Sequence, residues 1–180
     1  MAGTPFNTTG GIHEIPTHVV GFDVPGRMFL CGKHHIGPDV HAVIAETDEA
    51  HVVCLVERHE LAGRYDTYVD WLDTNNDSRA TWFAIHDMHA PPMDEARRLF
   101  SALAGRLRDG ENIVVHCAAG IGRAGTTGAA VLMTLGLHDH ARAVEHVRAH
   151  RPIAGPQTRE QEDFLRDYEA VLRNGSNTAG

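Results

Sequence analysis

The chain has 180 residues, which is the usual size of a single domain. Its 16 basic and 24 acidic residues give a net charge of −8 with histidine neutral, and hydrophobic residues make up 42% of the sequence. An acidic chain of this kind is a poor candidate for binding nucleic acid or an anionic membrane surface, because both require basic residues. We therefore expect a globular protein with neither of these partners.

In chain order, the sequence predicts strands and helices that alternate. Strands are expected at 17–22 and 27–31, a helix at 39–46, a strand at 51–56, a helix in one or two pieces at 57–71, a strand at 82–85, a helix at 93–108, a strand at 113–115, and helices at 123–135, 139–150 and 158–172. This order predicts an α/β fold with a central, mostly parallel sheet of about five strands flanked by helices. Ligands of such sheets bind beyond the carboxyl ends of the strands.

The ends of the chain are predicted to lie outside the folded domain. Residues 1–14 are expected to form a flexible tail, 15–173 a single domain, and 174–180 a second flexible tail. The first segment has no positive region followed by an apolar core, so a secretory signal is not expected. Three cysteines without a C-x-x-C pair favour a reducing compartment, and we expect a cytoplasmic protein without structural disulfides.

The stretch IVVHCAAGIGRAGTTG, residues 113–128, contains a glycine pattern that matches a dinucleotide-binding fingerprint. The fingerprint also requires a second strand that ends in an acidic residue about 20 positions later. The acidic residue at that distance is Asp139, but the sequence around it is helical and only helices follow it. No Gly-Lys-Ser/Thr follows the glycines, which excludes a Walker-type phosphate loop. The pattern therefore does not predict a nucleotide-binding protein.

The same stretch places Cys117 at the carboxyl end of a buried strand and Arg123 in the first turn of a helix. The small residues between them can turn their backbone N–H groups inward to form a nest for an anion; they are Ala118, Ala119, Gly120, Ile121 and Gly122. The helix N-terminus adds partial positive charge, and Arg123 can bind two phosphoryl oxygens bidentately. Because this environment favours the nucleophilic thiolate, the residues predict a cysteine nucleophile below a phosphate-binding loop. The alternative is a buried core cysteine and a solvated arginine.

HCAAGIGR resembles the H-C-x5-R signature of the protein tyrosine phosphatase superfamily, whose cysteine-dependent phosphatases include the dual-specificity branch. The resemblance covers most of the chain. CLVERHEL, IHDMHAPP, HCAAGIGRAGT and RPIAGPQTREQEDFL are similar to successive landmarks of the kinase-associated (cyclin-dependent-kinase-inhibitor type) phosphatases and their bacterial relatives. The resemblance implies that the protein hydrolyses phosphomonoesters through a phosphocysteine, without a cofactor or a metal.

A thiolate attack on phosphorus also requires a general acid that protonates the leaving group. Asp87 directly follows the predicted strand at 82–85, and the resemblance implies that an aspartate in its D-x-x-x-P context is this acid. Asp94 is the alternative, but it falls in the first turn of a predicted helix, where acidic residues are common.

The second step is hydrolysis of the phosphocysteine, with Asp87 as the base. Gln157 or Gln161 is expected to position the water, and the resemblance favours Gln161. His116 precedes the nucleophile, as in the family, and its ring is expected to bond backbone around the loop and help to hold the thiolate. The family usually has Ser or Thr after the arginine, where this chain has Ala124, which predicts slow breakdown of the phosphocysteine.

Two other features have competing interpretations. His86 and His89 flank Asp87, and further histidines are spaced i, i+4 on a helix, so a metal-dependent phosphoesterase is a second enzyme hypothesis. Cys54 ends a central strand; it is interpreted as a core residue, although a second cysteine in this region sometimes protects the nucleophile in the family.

The loop side chains also predict the substrate. None of the residues at 118–122 is basic, whereas family members that act on highly phosphorylated lipids or inositols tend to have lysines there. A phosphorylated protein or peptide is therefore expected, with phosphotyrosine foremost because it reaches a deep nucleophile best, and with phosphoserine or phosphothreonine as further candidates. The alternatives are a small phosphorylated metabolite and a phospho-partner binding protein with little turnover. The protein is expected to be a monomer.

Overall fold

The computed structural model describes residues 10–177, with side chains through residue 175. The strands within this range are β1 (His13–Ile15), β2 (Met28–Gly32), β3 (His51–Cys54), β4 (Ala80–Trp82) and β5 (Ile113–Cys117). The helices are α1 (Lys33–Ile36), α2 (Val40–Glu46), α3 (Asp66–Asn75), α4 (Met93–Arg108), α5 (Gly122–Thr134), α6 (His140–His150) and α7 (Arg159–Asn177). A short 3₁₀ turn, Arg58–Glu60, lies between β3 and α3.

The strands form one sheet in the order β1-β2-β5-β3-β4. Only β1 is antiparallel to its neighbour; β2, β5, β3 and β4 are parallel. The register pairs Gly32 with Cys117 and Cys54 with His116, so the carboxyl ends of three strands meet at one edge. The predicted α/β fold with a mostly parallel, five-stranded sheet is therefore confirmed, and its ligand edge is where Cys117 lies.

Helix α5 is the central helix of the domain. Its residues from 123 to 133 are all buried, which fits a helix made of small and apolar residues on every face. It packs on β5 and β2 and against α4, α6 and α7. Because α5 follows the loop after Cys117 directly, its burial fixes the position of that loop relative to the sheet.

The first strand and the last helix differ in position or length from the elements that the sequence predicts. The segment at 17–22 contains only an isolated bridge between Val19 and Phe22, whereas β1 lies at 13–15 and begins inside the predicted tail. Three residues are too few to show an alternating pattern, although Ile15 is fully buried. At the other end, α7 continues through Asn177, past the predicted boundary at residue 174.

The remaining parts of both predicted tails, 1–9 and 178–180, lie outside the described residues. In the part of the chain that the structure describes, no helix has the length and apolar character that a membrane span needs.

Candidate active site

Cys117 is the last residue of β5 and is only 3% exposed. The strands on both sides hold this end of β5, because β2 pairs with it through Gly32 and the backbone N–H of Leu55 donates to the His116 carbonyl at 3.0 Å. The nucleophile predicted from the sequence therefore lies deep at the ligand edge of the sheet, where only a narrow group can reach it.

The carbonyl groups of the loop after Cys117 are bound by groups that surround the loop. The backbone N–H of Lys33 donates to the Ala118 carbonyl at 3.0 Å. The carbonyl of Ile121 accepts from the N–H groups of Gly125 at 2.9 Å and Gly155 at 3.0 Å. The two ends of the loop are thus tied to the β2–α1 connection and to the segment before α7.

The middle of the loop is bound by Arg151, a fully buried residue whose role the sequence did not reveal. Its Nη2 donates to the Ala119 carbonyl at 3.0 Å and its Nε to the Gly120 carbonyl at 2.7 Å. In a planar trans peptide the C=O and the N–H point in opposite directions. Because the carbonyls at 118–121 are bound from outside, the N–H groups at 119–122 face the centre of the loop, as an anion nest requires.

Gly120 is the position in the loop that only glycine fits. Its φ is +72°, and a Cβ there would lie 2.4 Å from the carbonyl carbon and oxygen of Cys31. The glycine predicted as part of the nest is therefore required both by the left-handed backbone and by close contact with β2.

Arg123, in the first turn of α5, is 2% exposed and its guanidinium points to the ligand edge. Its Nη1 donates to Glu60 Oε2 at 2.7 Å and to the Ile85 carbonyl at 2.8 Å, while its Nη2 donates to Glu60 Oε1 at 2.8 Å. Nη2 also lies 3.1 Å from Asp87 Oδ1. The structure thus brings Arg123 and Asp87, which are 36 positions apart in the sequence, to the same site.

Glu60 is a site residue that the sequence analysis missed. Its carboxylate forms a bidentate pair with Arg123, its side chain is only 11% exposed, and its carbonyl accepts from Lys33 Nζ at 2.9 Å. The capping box of the 3₁₀ turn orients it, since the Glu57 backbone N–H donates to Glu60 Oε2 at 2.9 Å. The capping pattern E-R-H-E was present in the sequence as a signal, but nothing local indicated the pairing with Arg123.

Burial and the neighbouring charges shift the pKa values of Glu60 and Arg123 in opposite directions. Burial alone would raise the pKa of Glu60, but hydrogen bonds from Arg123 and the Glu57 backbone outweigh it, and the pKa lies below its usual value. Burial alone would lower the pKa of Arg123, but the Glu60 hydrogen bonds and the charges of Cys117, Glu60 and Asp87 raise it. Both side chains are therefore ionised at neutral pH, and the guanidinium is held rigidly.

Asp87 lies on the loop between β4 and α4, with its side chain 61% exposed and directed at Arg123. Asp94, the alternative acid, lies in the first turn of α4 and is exposed. It lines a surface groove with Arg97, Arg98 and Ser101 that includes none of the loop residues. Of the two candidates, the geometry favours Asp87.

His116 is fully buried beneath the loop, and burial lowers its pKa to about 4. Its Nδ1 lies 3.4 Å from the Cys117 carbonyl, which only accepts, and its Nε2 lies 2.7 Å from the Tyr68 hydroxyl. A neutral ring that donates from Nδ1 must accept at Nε2, so the Tyr68 hydroxyl donates to it. His116 is therefore neutral at pH 7, and it supports the backbone of Cys117 without adding a positive charge.

Gln157 and Gln161 both lie beside the loop. A Cβ placed on Gly122 would lie 3.3 Å from Gln157 Cγ and 3.4 Å from Gln161 Oε1. Gln161 is 1% exposed, its Oε1 accepts from the Gln157 backbone at 2.8 Å, and its Nε2 donates to the His89 carbonyl at 3.2 Å. Gln161 thus connects the loop after Cys117 with the segment that carries Asp87.

The position after the arginine is Ala124, which is fully buried. Thr126 is the next hydroxyl along α5, and within the described residues its buried Oγ1 has no hydrogen-bond partner. Neither residue therefore donates to the Cys117 sulfur, which agrees with the departure from the family pattern seen in the sequence.

The other two cysteines are free and buried. Burial raises the pKa values of the Cys31 and Cys54 thiols to about 12, so both are protonated and unreactive at neutral pH. Across residues 10–177, no group of three or more His, Cys, Asp or Glu side chains is arranged to hold a metal ion.

The fold and the site together define a cysteine-based, dual-specificity-type phosphatase domain. A family model described as PTP-SAK, the DSP-PTPase phosphatase domain of Swiss Army Knife proteins, matches residues 19–169. The chain belongs to this family, which confirms the superfamily and branch that the sequence resembles. No curated protein sequence matches the chain.

Solved structures give the same result for the fold. Tk-PTP in its active form is 27% identical, with a TM-score of 0.65 over 82% of this chain and 93% of that chain. A kinase associated phosphatase with its catalytic cysteine replaced by serine is 17% identical, with a TM-score of 0.72 over 91% and 96%. PTPMT1 in complex with PI(5)P is 15% identical, with a TM-score of 0.71 over 92% and 98%. At these identities the last two show a shared fold alone.

The substitution Glu60→Gln is expected to destabilise the protein. Glutamine offers one oxygen where Glu60 offers two, so one charge-assisted hydrogen bond to Arg123 is lost, at a cost of about 1.5–3 kcal/mol. Urea unfolding at pH 7 measures this change in the free energy of unfolding.

The pH dependence of the Glu60→Gln effect follows from the lowered pKa of Glu60. Its stabilisation is complete above the usual value of 4.5 and is lost as the pH falls through the lower folded value, so the difference from wild type shrinks in acid. Glu145→Gln, at an exposed position of α6, is the control. Equal stabilities of Glu60→Gln and wild type at pH 7 would contradict the structural role of the pair.

Proposed function

We propose that this protein hydrolyses phosphomonoesters on protein side chains, with phosphotyrosine foremost, through a phosphocysteine at Cys117. The observation that carries the proposal is the arrangement of a buried thiol at the floor of an amide-lined loop, with the Arg123 guanidinium beside it. The loop N–H groups at 119–122 and Arg123 bind the phosphoryl oxygens.

The first chemical step is attack of the Cys117 thiolate on phosphorus. The S–P bond forms as the P–O bond to the leaving group breaks, and the proton of Asp87 passes to the departing oxygen. Both hydrogens of Arg123 Nη1 are used by Glu60 and Ile85, so Nε and Nη2 are the groups left for a phosphate. A bound phosphate therefore replaces Asp87 at Nη2, and Asp87 is then released to act on the leaving group.

The second step is attack of water on the phosphocysteine. Asp87, now ionised, accepts a proton from the water as the P–O bond forms and the S–P bond breaks, which returns the thiolate. Gln161 lies against Gly122 in the loop and bonds the segment that carries Asp87, which supports its role in positioning this water.

Because neither Ala124 nor Thr126 donates to the Cys117 sulfur, we expect breakdown of the phosphocysteine to limit turnover. The substitution Ala124→Ser adds a donor at the position where the family has one, and should increase the rate of the second step about 10-fold, as one hydrogen bond to a charged group predicts. Rapid-mixing kinetics that follow release of the leaving group should show a faster steady-state rate and an unchanged rate of the first, burst phase.

Ala129→Ser is the matched control for Ala124→Ser, because it adds a buried serine to the same helix. If Ala124→Ser leaves both phases unchanged, the proposed cause of slow turnover is wrong.

The depth of the nucleophile supports phosphotyrosine as the substrate. Cys117 is 3% exposed, so a long, narrow side chain reaches it better than a short one. The side chains at 118–122 carry no charge, which matches a single phosphate.

The proposal also covers the cellular location, the oligomeric state and the cofactor requirement of the enzyme. The three free thiols support a reducing, cytoplasmic environment. We expect the protein to act as a monomer, and the proposed mechanism requires no cofactor.

A substrate panel tests the function directly. Phosphate release is measured from a phosphotyrosine peptide, a phosphothreonine peptide, inositol phosphates and nucleotides, with Cys117→Ser as the control. The proposal predicts the highest kcat/KM with the phosphotyrosine peptide. Faster hydrolysis of inositol phosphates or nucleotides would replace the proposed substrate class, and release by Cys117→Ser at the wild-type rate would overturn the mechanism.

A further inference from the structure

The segment that carries Asp87, residues 86–92, is called the acid loop below. Helix α7 and the residues just before it bind this loop at consecutive positions. Thr158 Oγ1 donates to the Met88 carbonyl at 3.0 Å, and Gln161 Nε2 donates to the His89 carbonyl at 3.2 Å. The start of α7 and the residue just before it thus contact the backbone of the acid loop directly after Asp87.

Glu160 makes the most extensive of these contacts. Its Oε1 accepts from the Ala90 backbone N–H at 3.0 Å, and its Oε2 lies 3.0 Å from Nδ1 of His89. One carboxylate therefore holds both the backbone and a side chain of the acid loop. The Ala90 hydrogen bond and His89 keep the pKa of Glu160 below its usual value, so the group is ionised at neutral pH.

A second carboxylate binds the other side of the acid loop. Glu57 Oε2 lies 2.8 Å from Nδ1 of His86, and the rings of His86 and His89 lie 5.0 Å apart. Asp87 is therefore flanked by two histidines, each paired with a glutamate from a different part of the fold.

The acid loop has a backbone conformation that needs such support. The N–H of His89 donates to the His86 carbonyl at 3.1 Å, which closes a turn, and Met88 in this turn has a φ of +65°. A non-glycine residue in this region is strained, and such strain persists where the surrounding structure holds it. Thr158, Glu160 and Gln161 support this turn from one side, and Glu57 supports it from the other.

Because both side chains are exposed, the contact between Glu160 and His89 is expected to fix the position of the acid loop rather than to stabilise the fold. The side chains of His89 and Glu160 are 52% and 51% exposed, and a polar contact at that exposure contributes little to the free energy of unfolding. Their position next to the proposed acid gives the contact another consequence, because general acid catalysis depends on placing the proton within hydrogen-bond reach of the leaving oxygen.

We infer that Glu160 is a positioning residue that fixes the acid loop, through Ala90 and His89, so that Asp87 reaches the leaving-group oxygen. This inference rests on the proposed function, since it takes Asp87 as the general acid. The proton moves from Asp87 to the ester oxygen as that oxygen leaves phosphorus. A leaving group that is stable as an anion needs little of this help, whereas a poor leaving group depends on it.

The test compares two aryl phosphates, p-nitrophenyl phosphate with a good leaving group and phenyl phosphate with a poor one. Breakdown of the phosphocysteine is common to both substrates and is expected to limit kcat, so the substrates are compared by kcat/KM, which reports on formation of the phosphocysteine. Asp87→Asn is expected to lose about 10²-fold or more in kcat/KM with phenyl phosphate and much less with p-nitrophenyl phosphate. Glu160→Ala is expected to lose about 10-fold in kcat/KM with phenyl phosphate and less than about 2-fold with p-nitrophenyl phosphate. Glu160→Gln, which keeps an acceptor for Ala90, should lie between Glu160→Ala and wild type.

Glu162→Ala is the matched control, because Glu162 lies in the same turn of α7 and pairs with Arg166 instead of the acid loop. It should behave as wild type with both substrates, and thermal unfolding of all variants checks that they fold. Equal losses with both substrates, or no loss, for Glu160→Ala would overturn the positioning role while a normal Asp87→Asn result leaves the proposed function intact. If Asp87→Asn itself does not distinguish the substrates, the role of Asp87 fails and this inference fails with it.

Discussion

Replacement of Cys117 by serine is expected to lower kcat by about 10⁴-fold or more, because the alcohol is a far weaker nucleophile than the thiolate. Serine has nearly the same size, and the proposed phosphate-binding loop is held by Arg151, Lys33 and the segment before α7 rather than by the sulfur. Binding of inorganic phosphate or vanadate should therefore persist in the variant. Steady-state kinetics and calorimetric titration measure the two effects separately.

Cys54→Ser is the matched control for this prediction. Cys54 is also a buried cysteine at the end of a strand, and it forms a cross-strand pair with His116. Its replacement can reduce stability, but kcat of the folded enzyme should change little, since the Cys54 thiol takes no part in the proposed chemistry. A Cys54→Ser variant that loses as much activity as Cys117→Ser would show that the loss reports on the fold and not on the nucleophile.

The second large effect is expected for Arg123→Lys, which should lower kcat/KM by about 10²–10³-fold. Lysine is a point charge and cannot form the bidentate pair with Glu60, donate to the Ile85 carbonyl and bind a phosphate at the same time. The loss should appear in both KM and kcat, because the guanidinium binds the phosphoryl group in the ground state and in the transition state.

Arg166→Lys provides the comparison for Arg123→Lys. Arg166 lies on α7, is 57% exposed and pairs with Glu162 and Asp163. Its replacement should leave kinetics and stability unchanged. If Arg123→Lys retains wild-type kcat/KM while it folds, the guanidinium does not bind the phosphate and the proposed site is wrong.

Local patterns allowed several elements to be predicted well. Helix α4 was predicted at 93–108, where the structure has Met93–Arg108, because apolar residues recur at helical spacing between a Pro-Pro pair and Asp-Gly. The loop between β5 and α5 was predicted from a similarly local pattern, because a strand, a run of small residues and an arginine follow one another within a single short stretch; that it binds phosphate stays a prediction.

The missed features depend on contacts between distant parts of the chain. Glu60 pairs with Arg123 across 63 positions, and Arg151 binds the loop across more than 30. Both look like ordinary charged residues in the sequence, because their roles arise only when the sheet and α5 bring the segments together. Strand β1 was missed because its three residues are too few to define a period, and its place in the sheet comes from pairing with β2.

The central claim is that phosphate is transferred to Cys117, and trapping of the intermediate tests it most directly. The enzyme is mixed with a phosphotyrosine peptide or an aryl phosphate, quenched with acid within the first turnover, digested and analysed by mass spectrometry. We predict that the peptide containing Cys117 gains the mass of one phosphoryl group and that the Cys117→Ser protein gains none. Phosphate release by the wild-type enzyme with an unmodified Cys117 peptide at every quench time, or with the phosphoryl group on another residue, would contradict the account.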